Sequence, residues 1–84
     1  MGQVINLEDM LNIYKNYTTI FEKYNFKKLD SGGKKAWSIR WVKNETYIDL
    51  RYSKWSLYNK DENEEMSGFN STSLDAYLSK RIGG

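Results

Sequence analysis

The segment Ala36-Trp37-Ser38-Ile39-Arg40-Trp41-Val42-Lys43, then Asn44-Glu45, then Thr46-Tyr47-Ile48-Asp49-Leu50-Arg51-Tyr52-Ser53-Lys54-Trp55, decides the fold. Both flanks of Asn44-Glu45 are rich in β-branched and aromatic residues that alternate with polar ones, the pattern of a half-buried strand. The spacing predicts strands over 36–43 and 46–55, joined by a two-residue hairpin turn at Asn44-Glu45. In that register Trp41 faces Ile48, Ile39 faces Leu50 and Trp37 faces Tyr52, all apolar and all on one face. The other face pairs Val42 with Tyr47, Arg40 with Asp49, and Ser38 with Arg51. A slip of one residue would set Trp41 beside Asp49 and destroy the sorting.

Outward from the hairpin, residues 25–30 (NFKKLD) predict a preceding strand, with Ser31-Gly32-Gly33 as the turn between them. Leu7, Met10, Leu11, Tyr14, Tyr17, Phe21 and Tyr24 recur at three- and four-residue spacing, which predicts a helix over 7–24. Asn6 would cap it, with Asp9 as the returning partner and Ile5 and Met10 as a hydrophobic staple. Thr18, Thr19 and Ile20 are weak helix formers, so the helix end falls anywhere from 17 to 24. On the other side, residues 59–65 (NKDENEE) read as a solvated loop, and 66–70 as an optional short fourth strand. A second helix is expected over 73–82, with Leu74, Tyr77, Leu78 and Ile82 on one face, Thr72 with Asp75 as its capping pair, and Gly83 just past its end. The order is α-β-β-β-(β)-α: a single two-layer α+β domain spanning 1–84, its antiparallel meander covered by helices on one face. The expected core is Leu11, Tyr14, Phe21, Trp37, Ile39, Trp41, Ile48, Leu50, Leu74 and Leu78.

Composition narrows the chemistry. The 84 residues contain no His and no Cys. That excludes disulfides, thiol and imidazole chemistry and the usual zinc sites. No carboxylate pair has a tuning environment and no nucleophile has a base beside it, so neither an enzyme nor a cofactor or metal site is expected. The acidic run Asp61, Glu62, Glu64, Glu65 lacks the glycine and distal glutamate of a calcium loop. Ser31-Gly32-Gly33-Lys34-Lys35 lacks the spacing of a phosphate loop. Asn-x-Thr triplets begin at Asn16, Asn44 and Asn70 and read as chance in an Asn- and Thr-rich chain. With no leader-like apolar stretch and no run long enough to span a bilayer, a cytoplasmic location is expected.

The net charge of +2 conceals an uneven distribution. Residues 31–58 carry Lys34, Lys35, Arg40, Lys43, Arg51 and Lys54 against Glu45 and Asp49, a net +4, whereas residues 59–84 are net −2. All three Trp lie in the basic stretch. Cations interleaved with aromatic residues compose a single-stranded nucleic-acid surface: Lys34, Lys35, Arg40, Lys43, Arg51 and Lys54 would hold phosphates, while Tyr47 and Trp55 would stack bases. The competing reading of the same face is a solvated sheet surface, with Arg40–Asp49 an ordinary cross-strand ion pair.

From Trp37 to Ile82 the chain resembles the transcriptional positive cofactor family of small single-stranded DNA-binding proteins. The residues that carry the likeness are Trp41, then Tyr47-Ile48-Asp49-Leu50-Arg51, then Trp55, and Met66-Ser67-Gly68-Phe69 leading into the last helix. The resemblance implies a homodimer that grips single-stranded DNA on curved sheets without catalysis, with Arg51, Trp55 and Arg40 in the binding role. A different class of function fits the same features: a phage- or plasmid-encoded inhibitor, such as an anti-CRISPR or other anti-defence protein, that binds a host protein. Double-stranded RNA-binding domains share the α-β-β-β-α order, but they place a Lys cluster where this chain has Ser73-Leu74-Asp75.

Overall fold

The computed structural model describes residues 7–34 and 38–82. The expectations resting on Ile5, Asn6, Lys35, Trp37 and Gly83 lie outside the described residues. The elements are α1 (Leu7–Lys23), β1 (Lys27–Gly32), β2 (Ile39–Lys43), β3 (Thr46–Arg51), β4 (Lys54–Tyr58), β5 (Glu64–Gly68) and α2 (Ser71–Arg81). The five strands form one antiparallel sheet in sequence order, and both helices bury their apolar side chains on one of its faces. The α+β meander between two helices is the expected architecture.

The β2–β3 hairpin has the expected register: Ile39 opposite Leu50, Arg40 opposite Asp49, Trp41 opposite Ile48 and Val42 opposite Tyr47. Asn44 opens its turn at φ 53°, a left-handed conformation that Asn tolerates well. The expected strand 46–55, however, is two strands. The chain reverses at Tyr52-Ser53, and β4 runs back along β3 with Trp55 opposite Leu50 and Leu57 opposite Ile48. In a continuous strand Trp55 would face away from Leu50, because the two lie an odd number of residues apart. The reversal brings both onto the same face, so Trp55 is not on the open face but fully buried in the core, at 0% exposure.

Other boundaries move for local reasons. The weak helix formers do not end α1. It closes at a Schellman motif, with Asn25 at φ 65°, its N–H donating to the Glu22 carbonyl, and the Phe26 N–H donating to the Phe21 carbonyl at 2.8 Å. The cap of α2 is Asn70 rather than Thr72: its side-chain oxygen accepts from the Ser73 N–H at 2.8 Å. Asp75, expected in a capping pair, instead accepts from the Tyr24 hydroxyl at 2.7 Å and from Lys23 at 3.2 Å, which ties the two helices together. The fourth-strand region forms as β5 two residues earlier than expected, so Glu64 and Glu65 belong to the sheet rather than to a loop.

The core is built on Tyr17 and Phe21 of α1, Tyr24 just past its end, Phe26, Trp41, Ile48, Leu50, Trp55 and Leu57 of the sheet side, and Leu74 and Leu78 of α2. Phe21 stacks on Trp41 with centroids 4.6 Å apart. Leu11, expected in this core, lies on the solvent side of α1 at 61% exposure; Tyr14 and Ile39 pack at its margin. The Trp55 indole N–H is satisfied at the α2 N-terminus, by the Asn70 carbonyl (3.2 Å) and the Ser73 hydroxyl (3.1 Å). Gly68 lies opposite Trp55. A Cβ there would come within 2.6 Å of both the indole nitrogen and the Ser73 hydroxyl, so the close approach of β5 requires glycine.

Candidate nucleic-acid interface

The sheet face turned away from the helices divides into a closed centre and an exposed end. In the centre, Arg40 on β2 meets Asp49 on β3 as the cross-strand register dictates. Its Nε donates to Oδ1 at 2.6 Å and its Nη2 to Oδ2 at 3.1 Å, a bidentate pair. The same guanidinium reaches the Glu62 carboxylate at 2.8 Å from the loop between β4 and β5. The segment after β1 folds over the pair as well. The Lys34 N–H donates to Asp49 Oδ2 at 2.7 Å and the Lys34 ammonium to the Glu62 carbonyl at 2.8 Å. Gly33 permits this approach, since a Cβ there would stand 2.4 Å from the Ser38 hydroxyl and 2.5 Å from the Asp49 carboxylate.

Tyr47 and Tyr58 wall the guanidinium, with ring centroids 4.7 and 5.7 Å from Cζ. Arg40 is left 8% exposed. Hydrogen bonds to Asp49 and then Glu62 push its pKa up, and the same contact with Arg40 draws the Glu62 carboxyl below its ordinary range. This centre is a satisfied ion cluster. Arg40, expected to hold phosphate on an open face, is withdrawn from the surface and committed to two carboxylates. Tyr47, half-buried, is the platform for that guanidinium.

The end of the face at the β3–β4 turn is different. Arg51 and Lys54 are cross-strand partners flanking Tyr52-Ser53. Arg51 lies over the Tyr52 ring (5.9 Å) and Lys54 over the Phe69 ring (5.7 Å). Among the described residues neither cation has a carboxylate partner. The two rings are 65% and 72% exposed. The turn is anchored from below, because the buried Tyr17 hydroxyl on α1 donates to the Ser53 carbonyl. Burial pushes the pKa of that hydroxyl up to about 12, so it stays a donor throughout the physiological range. Tyr52 itself sits at φ 57°. For a bulky residue that conformation costs roughly 1–2 kcal/mol, and Asn or Gly would adopt it more cheaply.

Of the expected site residues, the fold brings Arg51 and Lys54 together. Lys34 joins the Arg40 cluster, and Lys43 lies beside the Asn44 turn at the opposite end of the hairpin, roughly 17 Å away by strand rise. Lys35 lies outside the described residues. Trp55 is a core residue and presents no ring for a base. Sequence reasoning missed Tyr52 and Phe69. Tyr52 had been placed on the inner face by the continuous-strand reading, and Phe69 stands between Gly68 and the Asn70 cap, where no periodicity applies. Among the described residues no group of acidic side chains could hold a metal ion, and no helix is long and apolar enough to cross a membrane. Comparisons with family models, curated proteins and solved structures found no match to the chain.

Proposed function

We propose that this chain is a non-enzymatic single-stranded nucleic-acid-binding domain whose contact surface is the β3–β4 end of the sheet: Arg51, Tyr52, Lys54 and Phe69. The observation that carries the reading is the pairing of two exposed rings with two cations that no described carboxylate neutralises. Rings stack on bases of any identity, and cations beside them hold the connecting phosphates. The strain at Tyr52 adds support, because strained backbone clusters at functional sites. The proposed surface keeps Arg51 and Lys54 from the expected set and replaces Trp55 with Tyr52 and Phe69 as the stacking groups. Of the residues that the resemblance to the positive cofactor family puts in the binding role, Arg51 belongs to this surface, whereas Arg40 and Trp55 are buried.

The test is a fluorescence anisotropy titration with labelled single-stranded and duplex oligonucleotides at two salt concentrations, after removal of copurified nucleic acid. Tight single-strand binding that weakens steeply with salt, and is lost in the Tyr52→Ala/Phe69→Ala double variant, supports the proposal. No binding at low salt overturns it. A second reading, an inhibitor that binds a host protein, is favoured by Met66 and Phe69, which are exposed along and just past the edge strand β5. An edge strand with apolar side chains is a ready docking line for another chain. A pull-down that recovers one stoichiometric protein despite nuclease treatment would select it.

A further inference from the structure

Beside the two exposed rings, the sheet face is indented. A pocket of about 80 Å³ opens between Arg51 and Lys54 and is lined by those two residues with Ser38, Asp49, Ser56 and Tyr58. We propose that this pocket is an oxyanion subsite that takes one phosphate group, with Arg51 and Lys54 as its cationic jaws and hydroxyls at its base. The proposal rests on the nucleic-acid reading for the source of the phosphate, but not for the existence of the site.

The register explains why the groups converge. Asp49 lies opposite Ser56 and Arg51 opposite Lys54, so two successive cross-strand pairs on one face line the pocket. Its size admits a single tetrahedral oxyanion and falls well short of the ~300 Å³ at which small-molecule pockets begin. Asp49 at the base would ordinarily repel an anion. Here both of its oxygens are taken by the Arg40 guanidinium, and Oδ2 also by the Lys34 N–H. Arg40, Asp49, Glu62 and Lys34 together sum to zero formal charge. The field at the mouth is therefore set by Arg51 and Lys54, which no described carboxylate offsets. Burial raises the Tyr58 hydroxyl pKa above its usual value, so the base of the pocket offers hydroxyl rather than phenolate oxygen. The closed centre thus gains a second consequence: it supplies a neutral base for the charged pocket next to it.

Two sources could supply the phosphate, a monoester at a strand end or a diester within the chain. The first experiment titrates inorganic phosphate into the isotope-labelled protein, against sodium chloride at equal ionic strength, and follows backbone amide shifts. Saturable shifts confined to Arg51, Lys54, Ser56 and their neighbours are expected. Shifts no larger than those from chloride overturn the proposal. The second compares a short deoxythymidine oligonucleotide bearing a 5′-phosphate with its 5′-hydroxyl form. A preference for the phosphorylated end identifies a monoester site. Equal affinity identifies a diester site, provided that Arg51→Gln and Lys54→Gln each lower the salt slope by about 0.7 and weaken binding about tenfold. Lys60→Gln, an exposed cation away from the pocket, is the control for bulk charge.

The two proposals fail separately. Phosphate shifts at the pocket with no oligonucleotide binding leave the pocket standing and end the nucleic-acid reading. Oligonucleotide binding that depends on Tyr52 and Phe69, with no phosphate response, does the reverse.

Discussion

The centre and the end of the open sheet face are made of the same residue types, yet the fold treats them in opposite ways. At the centre, Arg40 lies between the Tyr47 and Tyr58 rings and donates to two carboxylates. At the end, Arg51 and Lys54 lie over the Tyr52 and Phe69 rings and form no ion pair with a described carboxylate. A buried guanidinium must be paired, because an unpaired charge out of water is costly, so the centre is satisfied within the chain. The end is solvated and its cations need no internal partner. The difference teaches that a cation beside an aromatic ring is not by itself a binding signal. What separates the two regions is whether the protein has already supplied the anion.

The sharpest way to break that contrast is to remove Asp49. Asp49→Ala would leave Arg40 buried with only the more exposed Glu62 as a carboxylate partner, and the expected loss of stability is about 3–5 kcal/mol by urea unfolding. The double variant Arg40→Met/Asp49→Leu is expected to cost less than Asp49→Ala alone, because it leaves no unpaired guanidinium buried, although the Glu62 carboxylate and the Lys34 N–H lose their partners. A cost below about 1 kcal/mol for Asp49→Ala would make the centre an ordinary surface pair, and the contrast would collapse.

At the end, the effects should appear in binding rather than in folding. Tyr52→Ala and Phe69→Ala are each expected to weaken single-strand binding by about 1–3 kcal/mol, read by anisotropy. Phe69→Ala should change unfolding stability by no more than about 0.5 kcal/mol, as for most exposed positions. If either ring proves to carry stability and no affinity, the exposed end is another piece of structure. Tyr52→Asn sharpens the point, because it relieves the left-handed strain while removing the ring. It should raise stability by roughly 1 kcal/mol and still weaken binding. A stability loss would show that the ring is held in place for packing.

The limits of sequence reading follow the same division. The β2–β3 hairpin was legible because an apolar face and a two-residue turn agree on one register. The ion pair at the centre was legible for the same reason, since that register sets Arg40 against Asp49. The β3–β4 turn was not. Tyr-Ser contains no Gly, Pro, Asn or Asp, and alternation runs on to Ser53 and changes phase only at Lys54-Trp55, so period-2 patterning reads two strands as one. Everything misassigned nearby descends from that single reversal: Trp55 placed outside, Tyr52 placed inside, and a stacking role expected of a ring that is buried. The closure of the centre was illegible for another reason. Lys34 and Glu62 reach Arg40 and Asp49 from loops distant in sequence, and no local pattern encodes such contacts.

Acid pH separates the two regions with the smallest perturbation. The hydrogen bond from Arg40 lowers the Glu62 carboxyl below its usual 4.5. A depressed carboxyl stabilises the fold above its unfolded value, and that contribution is lost as pH falls through the lower folded value. The contact between Glu62 and Arg40 should therefore be intact at neutral pH and released only in acid below about pH 4.5. Arg40 stays charged throughout, since its own pKa is raised. Carboxyl-detected NMR should give Glu62 a midpoint under the usual value, with amides of residues 59–63 shifting and exchanging faster as it protonates. The amides of Arg51, Tyr52, Lys54 and Phe69, at the other end of the face, should stay still. A Glu62 midpoint at or above the ordinary value would remove the loop from the ion cluster. Shifts at the β3–β4 turn in step with Glu62 would mean that the centre and the end respond as one unit, and the proposed division of the face would fail.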